Sequence, residues 1–177
     1  MYFNVSGLLK DVVGATRHYQ VSEPVDMADT GLSLAGPVEG HLDMTRTSRG
    51  VLVEGHLLAT VTQSCSRCLE PVLSAVAVDF GEEFLQTLDM GTGMPLDVPQ
   101  DDPAILIDGH HMINLDDLVR QYLLAWAPMH PLCRPECAGL CPQCGRNLNE
   151  GPCSCVAAEA DPRWSVLGRL LKERRSA

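Results

Sequence analysis

Basic charge is scarce in this chain. Its 177 residues hold 13 Lys and Arg against 23 Asp and Glu, for a formal net charge of −10. That balance argues against a protein that coats nucleic acid through a general positive field. Long apolar runs are missing too: nowhere do about 18 apolar residues follow one another, so no membrane-spanning helix is expected. The opening residues, MYFNVSGLLKDVVG, lack the positive start and unbroken apolar run of a secretory signal. A cytoplasmic protein with no membrane partner is the expectation. Catalytic signatures are also absent, with no G-x-x-x-x-G-K-[ST] phosphate loop, no G-x-S-x-G elbow and no H-E-x-x-H helix. Asp101, Asp102, Asp116 and Asp117 read as loop solvation and helix capping rather than as a carboxylate dyad. No catalytic residue or small-molecule substrate is nominated, and the chain is not expected to be an enzyme.

What the chain does have is cysteine. Six of its eight thiols fall between Cys133 and Cys155, and an isolated Cys65-x-x-Cys68 lies far upstream. In a reducing compartment such thiols stay available to metal, so ligands are favoured over disulfides. Cys141-Pro-Gln-Cys144-Gly has the composition of a zinc knuckle, and Cys153 and Cys155 return after a short loop to close a local four-thiolate site. Cys133 and Cys137 are then left over, as are Cys65 and Cys68. The expectation is two structural Zn2+ sites, one joining Cys65 and Cys68 to Cys133 and Cys137, the other made by Cys141, Cys144, Cys153 and Cys155. The alternative keeps a single zinc in the cluster, with the upstream pair free or redox-active. A thioredoxin-like role for that pair requires the start of a helix in a βαβ unit, whereas its flanks read as strands. His110 and His111 follow an Asp-Gly turn and read as exposed turn residues.

With 45% hydrophobic and 20% charged residues, the chain belongs to the globular class. The fold class expected is α+β: an antiparallel meander with a covering amphipathic helix, a Cys-rich zinc-binding element and a short C-terminal helix. Three runs, Pro37 to Thr45, Gly50 to Val61 and Val72 to Phe80, alternate as strands do, with Thr47 to Gly50 a hairpin connection. Cys65 to Cys68 occupies the next turn. Residues 2 to 9 read as an edge strand and the segment through Glu23 as polar and turn-prone. Residues 87 to 104 read as a flexible acidic loop, and Asp108-Gly109 as the turn of a small hairpin between Ile105–Ile107 and Met112–Ile113. Asn114 is the predicted N-cap of a helix with Leu115, Leu118, Val119, Tyr122 and Trp126 on its apolar stripe and Pro128 as its stop. Asp161-Pro162 opens a second helix with Trp164, Leu167, Leu170 and Leu171 as its stripe. The predicted division is 1–130 for sheet and helix, 131–156 for the Cys-rich element and 157–177 for the basic helix.

The last fifteen positions hold five basic residues and one acid, so they stand at +4 and residues 1–162 at −14. Phosphate contact is therefore expected from Arg169, Lys172, Arg174 and Arg175, and the acidic body suits a basic protein partner. The same charges also read simply as a helix end stabilised by its dipole.

Four segments together resemble a known family: CSRCLEPV (Cys65 to Val72), LDDLVRQYLLAWAPMHPLC (Leu115 to Cys133), CAGLCPQCGRNLNEGPCSC (Cys137 to Cys155) and DPRWSVLGRLLKE (Asp161 to Glu173). In the same order, they are similar to the YceD family. The resemblance implies a bacterial cytoplasmic ribosome biogenesis factor needed for 23S rRNA accumulation. Its implied partners are a large ribosomal subunit precursor, a ribosomal protein and/or 23S rRNA; it implies no catalytic residue. The other reading of the residues is a thiol- or zinc-dependent redox protein acting through Cys65 and Cys68.

Overall fold

The computed structural model describes residues 1–28, 30–98 and 105–155. The predicted helix from Asp161 and the basic residues Arg169, Lys172, Arg174 and Arg175 lie outside the described residues, as do residues 99–104 of the predicted acidic loop.

The architecture is α+β, a mostly antiparallel sheet with few helices. Its spine is one long hairpin, β5 (Gly50–Ser64) and β6 (Pro71–Gln86), paired without a break from Gly50↔Leu85 to Ser64↔Pro71. Alternation makes these strands: Val51, Val53, Leu57, Ala59 and Val61 of β5 are buried, and Glu54, His56 and Leu58 are exposed. Each buried residue meets its neighbour on β6, as with Leu57↔Val78 and Ala59↔Val76. Period-two patterning of this kind makes one face of a sheet apolar and the other polar. β4 (Val38–Arg46) lies antiparallel on β5, joined through a turn in which the Thr47 N–H donates to Gly50 O at 3.0 Å. The three expected strands and this connection are therefore present.

β2 (Thr16–Glu23) corrects the expectation of a polar, turn-prone segment. It pairs along its whole length with β4, from Thr16↔Thr45 to Glu23↔Val38. As the edge strand it buries only Val21, so its sequence carries little alternation; the partner strand supplies the order. A two-residue strand, β3 (Ser33–Leu34), pairs with the far end of β5. The expected N-terminal edge strand is shorter than residues 2 to 9: β1 (Tyr2–Asn4) gives way to a helical turn, α1 (Ser6–Leu9), which buries Leu8 and Leu9.

The expected hairpin around Asp108-Gly109 has its turn but not its ladder. Asp108 Oδ1 accepts the N–H groups of His110 and Met112, both at 2.8 Å, and His111 takes a positive φ of 62°. The arms leave for different partners. β7 (Leu106–Ile107) runs parallel to the end of β6, and β8 (Met112–Asn114) pairs with β1. Residues 87–98 are also more organised than a flexible loop. Asp89 Oδ1 accepts the N–H groups of Thr92 at 2.7 Å and Gly91 at 3.0 Å, which holds its carboxyl below the usual range.

α2 (Asp116–Trp126) has Leu115 rather than the predicted Asn114 at its N-cap; Asn114 ends β8, where its Oδ1 accepts the Asp116 N–H at 3.0 Å, and the helix stops as Ala127 turns extended ahead of Pro128. Its buried side chains are Leu118, Val119 and Leu123. Trp126, expected on the apolar stripe, is 59% exposed, and Leu123 takes that place. The helix meets β6 through Tyr122, whose ring stacks on Phe80 at 5.3 Å and whose hydroxyl donates to Glu82 at 2.8 Å.

Phe80 can lie flat there because its register partner on β5 is Gly55, where a Cβ would stand 2.3 Å from the ring. Gly55→Ala should therefore push Phe80 off Tyr122 and cost about 1–3 kcal/mol, the range for overpacking a core. Urea unfolding at constant metal load measures it.

Candidate metal centres

The tip of the β5–β6 hairpin is the loop Cys65-Ser66-Arg67-Cys68-Leu69-Glu70. Its backbone folds so that Leu69 N–H donates to Cys65 O at 3.0 Å and Cys65 N–H to Glu70 O at 2.8 Å. Cys141-Pro142-Gln143-Cys144-Gly145-Arg146 repeats the arrangement bond for bond, with Gly145 N–H to Cys141 O at 2.9 Å and Cys141 N–H to Arg146 O at 2.8 Å. Both loops need the left-handed region just after the second cysteine: φ is 64° at Leu69 and 72° at Gly145. In each, backbone N–H groups aim at the first sulfur. The Cys65 thiol is lowered to about 6 by the N–H of Cys68 and then that of Arg67; Cys141 is lowered to about 6 by Cys144 and then Gln143. Such bonds favour the thiolate, the form that binds metal.

The remaining cysteines come to these two loops as the sequence spacing predicts. Cys65, Cys68, Cys133 and Cys137 form one group and Cys141, Cys144, Cys153 and Cys155 the other, with all four sulfurs of each group within 4.8 Å of one another. Cys65 Sγ lies 3.8 Å from Cys137 Sγ, Cys68 Sγ 3.5 Å from Cys133 Sγ, and Cys153 Sγ 3.4 Å from Cys141 Sγ. A disulfide needs about 2.05 Å. The edge of a tetrahedron of sulfurs each about 2.3 Å from a zinc is about 3.8 Å, so the separations fit a shared ion rather than covalent pairs. The charges fit it as well. The Cys133 and Cys155 thiols are pushed up to about 12, first by the neighbouring sulfurs of Cys68 and Cys144 and then by burial. Four thiolates at such range need a central cation to ionise together. Each group could hold a metal, and neither contributes a His, Asp or Glu ligand.

The first group ties distant chain segments together. Cys65, Cys68 and Cys137 are buried against Val72 and Leu140. The chain leaving α2 is stitched to the hairpin before it reaches Cys133: Gln63 Nε2 donates to Pro128 O at 3.0 Å and Ser66 N–H to Pro131 O at 2.8 Å. Arg67 adds a bond from Nη1 to Cys137 O at 2.9 Å. The second group is more open, with Cys141 buried, Cys144 exposed and Cys153 and Cys155 half-buried.

Sequence reasoning missed Asn149. It stands in the loop between Cys144 and Cys153, yet its Nδ2 donates to Cys137 Sγ of the other group at 3.3 Å. Its Oδ1 accepts Ala138 N–H at 2.8 Å and Arg134 Nη2 at 2.7 Å, which fixes the amide's orientation. The amide bond to sulfur also holds Cys137 below the usual thiol range. No spacing rule marks this residue, since its role depends on the fold of both loops.

Two results follow. Asn149→Ala, which removes the N–H···S bond from the Cys137 sulfur, should weaken metal binding at the Cys65 group about 10- to 100-fold, as loss of an outer-shell partner does; competitive titration with a chelator measures it. Leu69→Gly should stabilise the metal-loaded chain by about 1 kcal/mol by relieving its left-handed backbone, and Gly145→Ala should destabilise it comparably. Thermal unfolding at saturating metal tests the pair.

The family model described as "Large ribosomal RNA subunit accumulation protein YceD" matches residues 53–171. An uncharacterized protein of Mycobacterium tuberculosis is 35% identical over 130 residues, covering 73% of this chain and 60% of its own length. A chloroplastic YCED homolog 1 of Zea mays, named as a large ribosomal RNA subunit accumulation protein, is 26% identical, covering 71% of this chain and 51% of its own length. The Arabidopsis thaliana homolog of the same name is 25% identical, over 77% and 49% respectively. The chain thus spans about 60% of the length of the mycobacterial relative. No solved structure matches. With the family match running from within β5 through β6 and α2 and over both four-cysteine groups, the chain belongs to the YceD family.

Proposed function

We propose that this chain is a cytoplasmic, non-catalytic binding factor that supports accumulation of 23S rRNA and assembly of the large ribosomal subunit, with Zn2+ held structurally by both four-cysteine groups. The observation that carries the reading is the family match over residues 53–171, together with the plant relatives named for large ribosomal RNA subunit accumulation. The chemistry of the chain supports a binding role. Its clustered thiols form two all-cysteine sets, the closed donor set of structural rather than catalytic zinc. A redox role for Cys65 and Cys68 is less well supported, because both sulfurs stand among those of Cys133 and Cys137 instead of as an isolated pair. The partner is a large-subunit precursor, met through a basic ribosomal protein, 23S rRNA or both. Any phosphate contact falls to Arg169, Lys172, Arg174 and Arg175.

Deleting the gene in its host should lower 23S relative to 16S rRNA, and the tagged protein should co-sediment with large-subunit precursors at low salt and less at moderate salt. Unchanged 23S levels with no co-sedimentation at either salt would remove the reading. Metal analysis tests the zinc assignment separately. Two zinc per chain are expected, falling to one in Cys65→Ser/Cys68→Ser; one zinc per chain unaffected by those substitutions would refute the two-site arrangement.

A further inference from the structure

The sheet has a second face that the core does not use. The registers place Asp43 beside Glu54, His41 beside His56 and Asp79, and Glu39 beside Leu58 and Ala77, in successive rows across β4, β5 and β6. Residues opposite one another share a face, and here that face points away from the buried Leu42, Val53, Leu57 and Val78. Glu39, Glu54 and Asp79 are exposed, and Asp43 is half-buried. No Lys or Arg occupies an outward position on β2, β4, β5 or β6. Asp79 accepts from His56 Nδ1 at 2.7 Å, and Asp43 pairs with His18. Glu39 and Glu54 have no ionic partner among the described residues.

The same face carries apolar surface. A groove of about 350 Å³ runs beside the acids, lined by Pro37, Leu58, Ala75 and Ala77, with Glu39 at its edge. Leu58 is 63% exposed and Leu73, further along β6, 66% exposed. An apolar strip beside acids of which Glu39 and Glu54 have no ionic partner among the described residues has the complement of an amphipathic cationic segment.

We propose that this open face is a docking surface for a lysine- and arginine-rich segment of a partner protein. Its apolar side chains enter the groove at Leu58, and its cations lie over Glu39, Glu54 and Asp79. The proposal rests on the binding-factor reading above and names the chemistry of the partner. RNA is disfavoured because its phosphates would face the carboxylates of Glu39 and Glu54. A second copy is disfavoured because a two-fold contact would set the same acids against each other.

The test uses the full-length, zinc-loaded chain and a fluorescein-labelled synthetic peptide of alternating leucine and lysine or arginine, with a single-stranded RNA oligonucleotide as the competing probe. The peptide should bind and weaken with salt. Glu39→Gln/Glu54→Gln/Asp79→Gln should weaken it about tenfold or more, and Leu58→Ser several-fold. Both variants should keep two zinc per chain and an unchanged circular dichroism spectrum. Peptide affinity unchanged in both variants would overturn the proposal, as would RNA binding that the same substitutions abolish. A dimer in sedimentation equilibrium that Leu58→Ser dissociates would assign the face to a second copy instead. Tighter peptide binding after Arg169→Gln/Lys172→Gln/Arg174→Gln/Arg175→Gln would assign it to the chain's own C-terminus, likewise overturning the proposal. Complementation separates this from the function itself. If the wild-type gene restores 23S rRNA in a deletion strain and the open-face variants restore it equally, the docking face is wrong and the ribosomal role stands. If deletion leaves 23S rRNA unchanged, the ribosomal role fails whatever the peptide does.

Discussion

Four sulfurs from two remote parts of the chain meet at the tip of the long hairpin, and their mutual repulsion is the constraint on which that end of the molecule depends. Cys65 and Cys68 arrive on the β5–β6 turn, Cys133 and Cys137 on the segment that follows α2. Bringing such distant segments together costs loop-closure entropy, and gathering their thiolates adds a Coulombic cost that a central cation reverses. The group is therefore a clasp that a bound metal would tighten. The supporting bonds from Gln63 and Ser66 to the backbone beyond α2 align the two segments.

The hairpin that presents this clasp is held by ordinary sheet physics. One face of β4, β5 and β6 is apolar and buried, and α2 seats on β6 through Tyr122 and Phe80, where Gly55 leaves room for the ring. The helix fixes where the chain to Cys133 begins, and the hairpin fixes where Cys65 stands. The opposite face carries acids, histidines and a shallow apolar groove, the features on which the proposed docking of a cationic segment rests.

The second four-cysteine group is built on a loop of the same conformation as the first, and the two groups are not independent. Only Ala138, Gly139 and Leu140 separate Cys137 from Cys141, and Leu140 N–H bonds to Arg67 O at 3.1 Å. Asn149, held in the second group's loop, donates to a sulfur of the first. Ordering either loop therefore favours the geometry of the other. The two loops differ where the backbone is left-handed: glycine takes that conformation freely at position 145, and a leucine is held in it at position 69.

The sequence by itself determined the donor chemistry and the three central strands. Eight cysteines, with Cys65/Cys68 and Cys141/Cys144 at knuckle spacing, leave few ways to make four-thiol sets, and the three runs between Pro37 and Phe80 alternate because one face of those strands is largely buried. It also marked the helix and its stop at Pro128. Tertiary structure decided what local pattern could not carry. Thr16–Glu23 is a strand because β4 pairs with it, not because its own residues alternate. The arms around Asp108-Gly109 part because β6 and β1 offer other ladders. Trp126 is exposed and Leu123 buried because packing against β6, rather than helical spacing alone, sets the buried arc. Asn149 acquires a role only once two loops lie side by side. These contacts all join residues distant in sequence, and that is why no window of the sequence displays them.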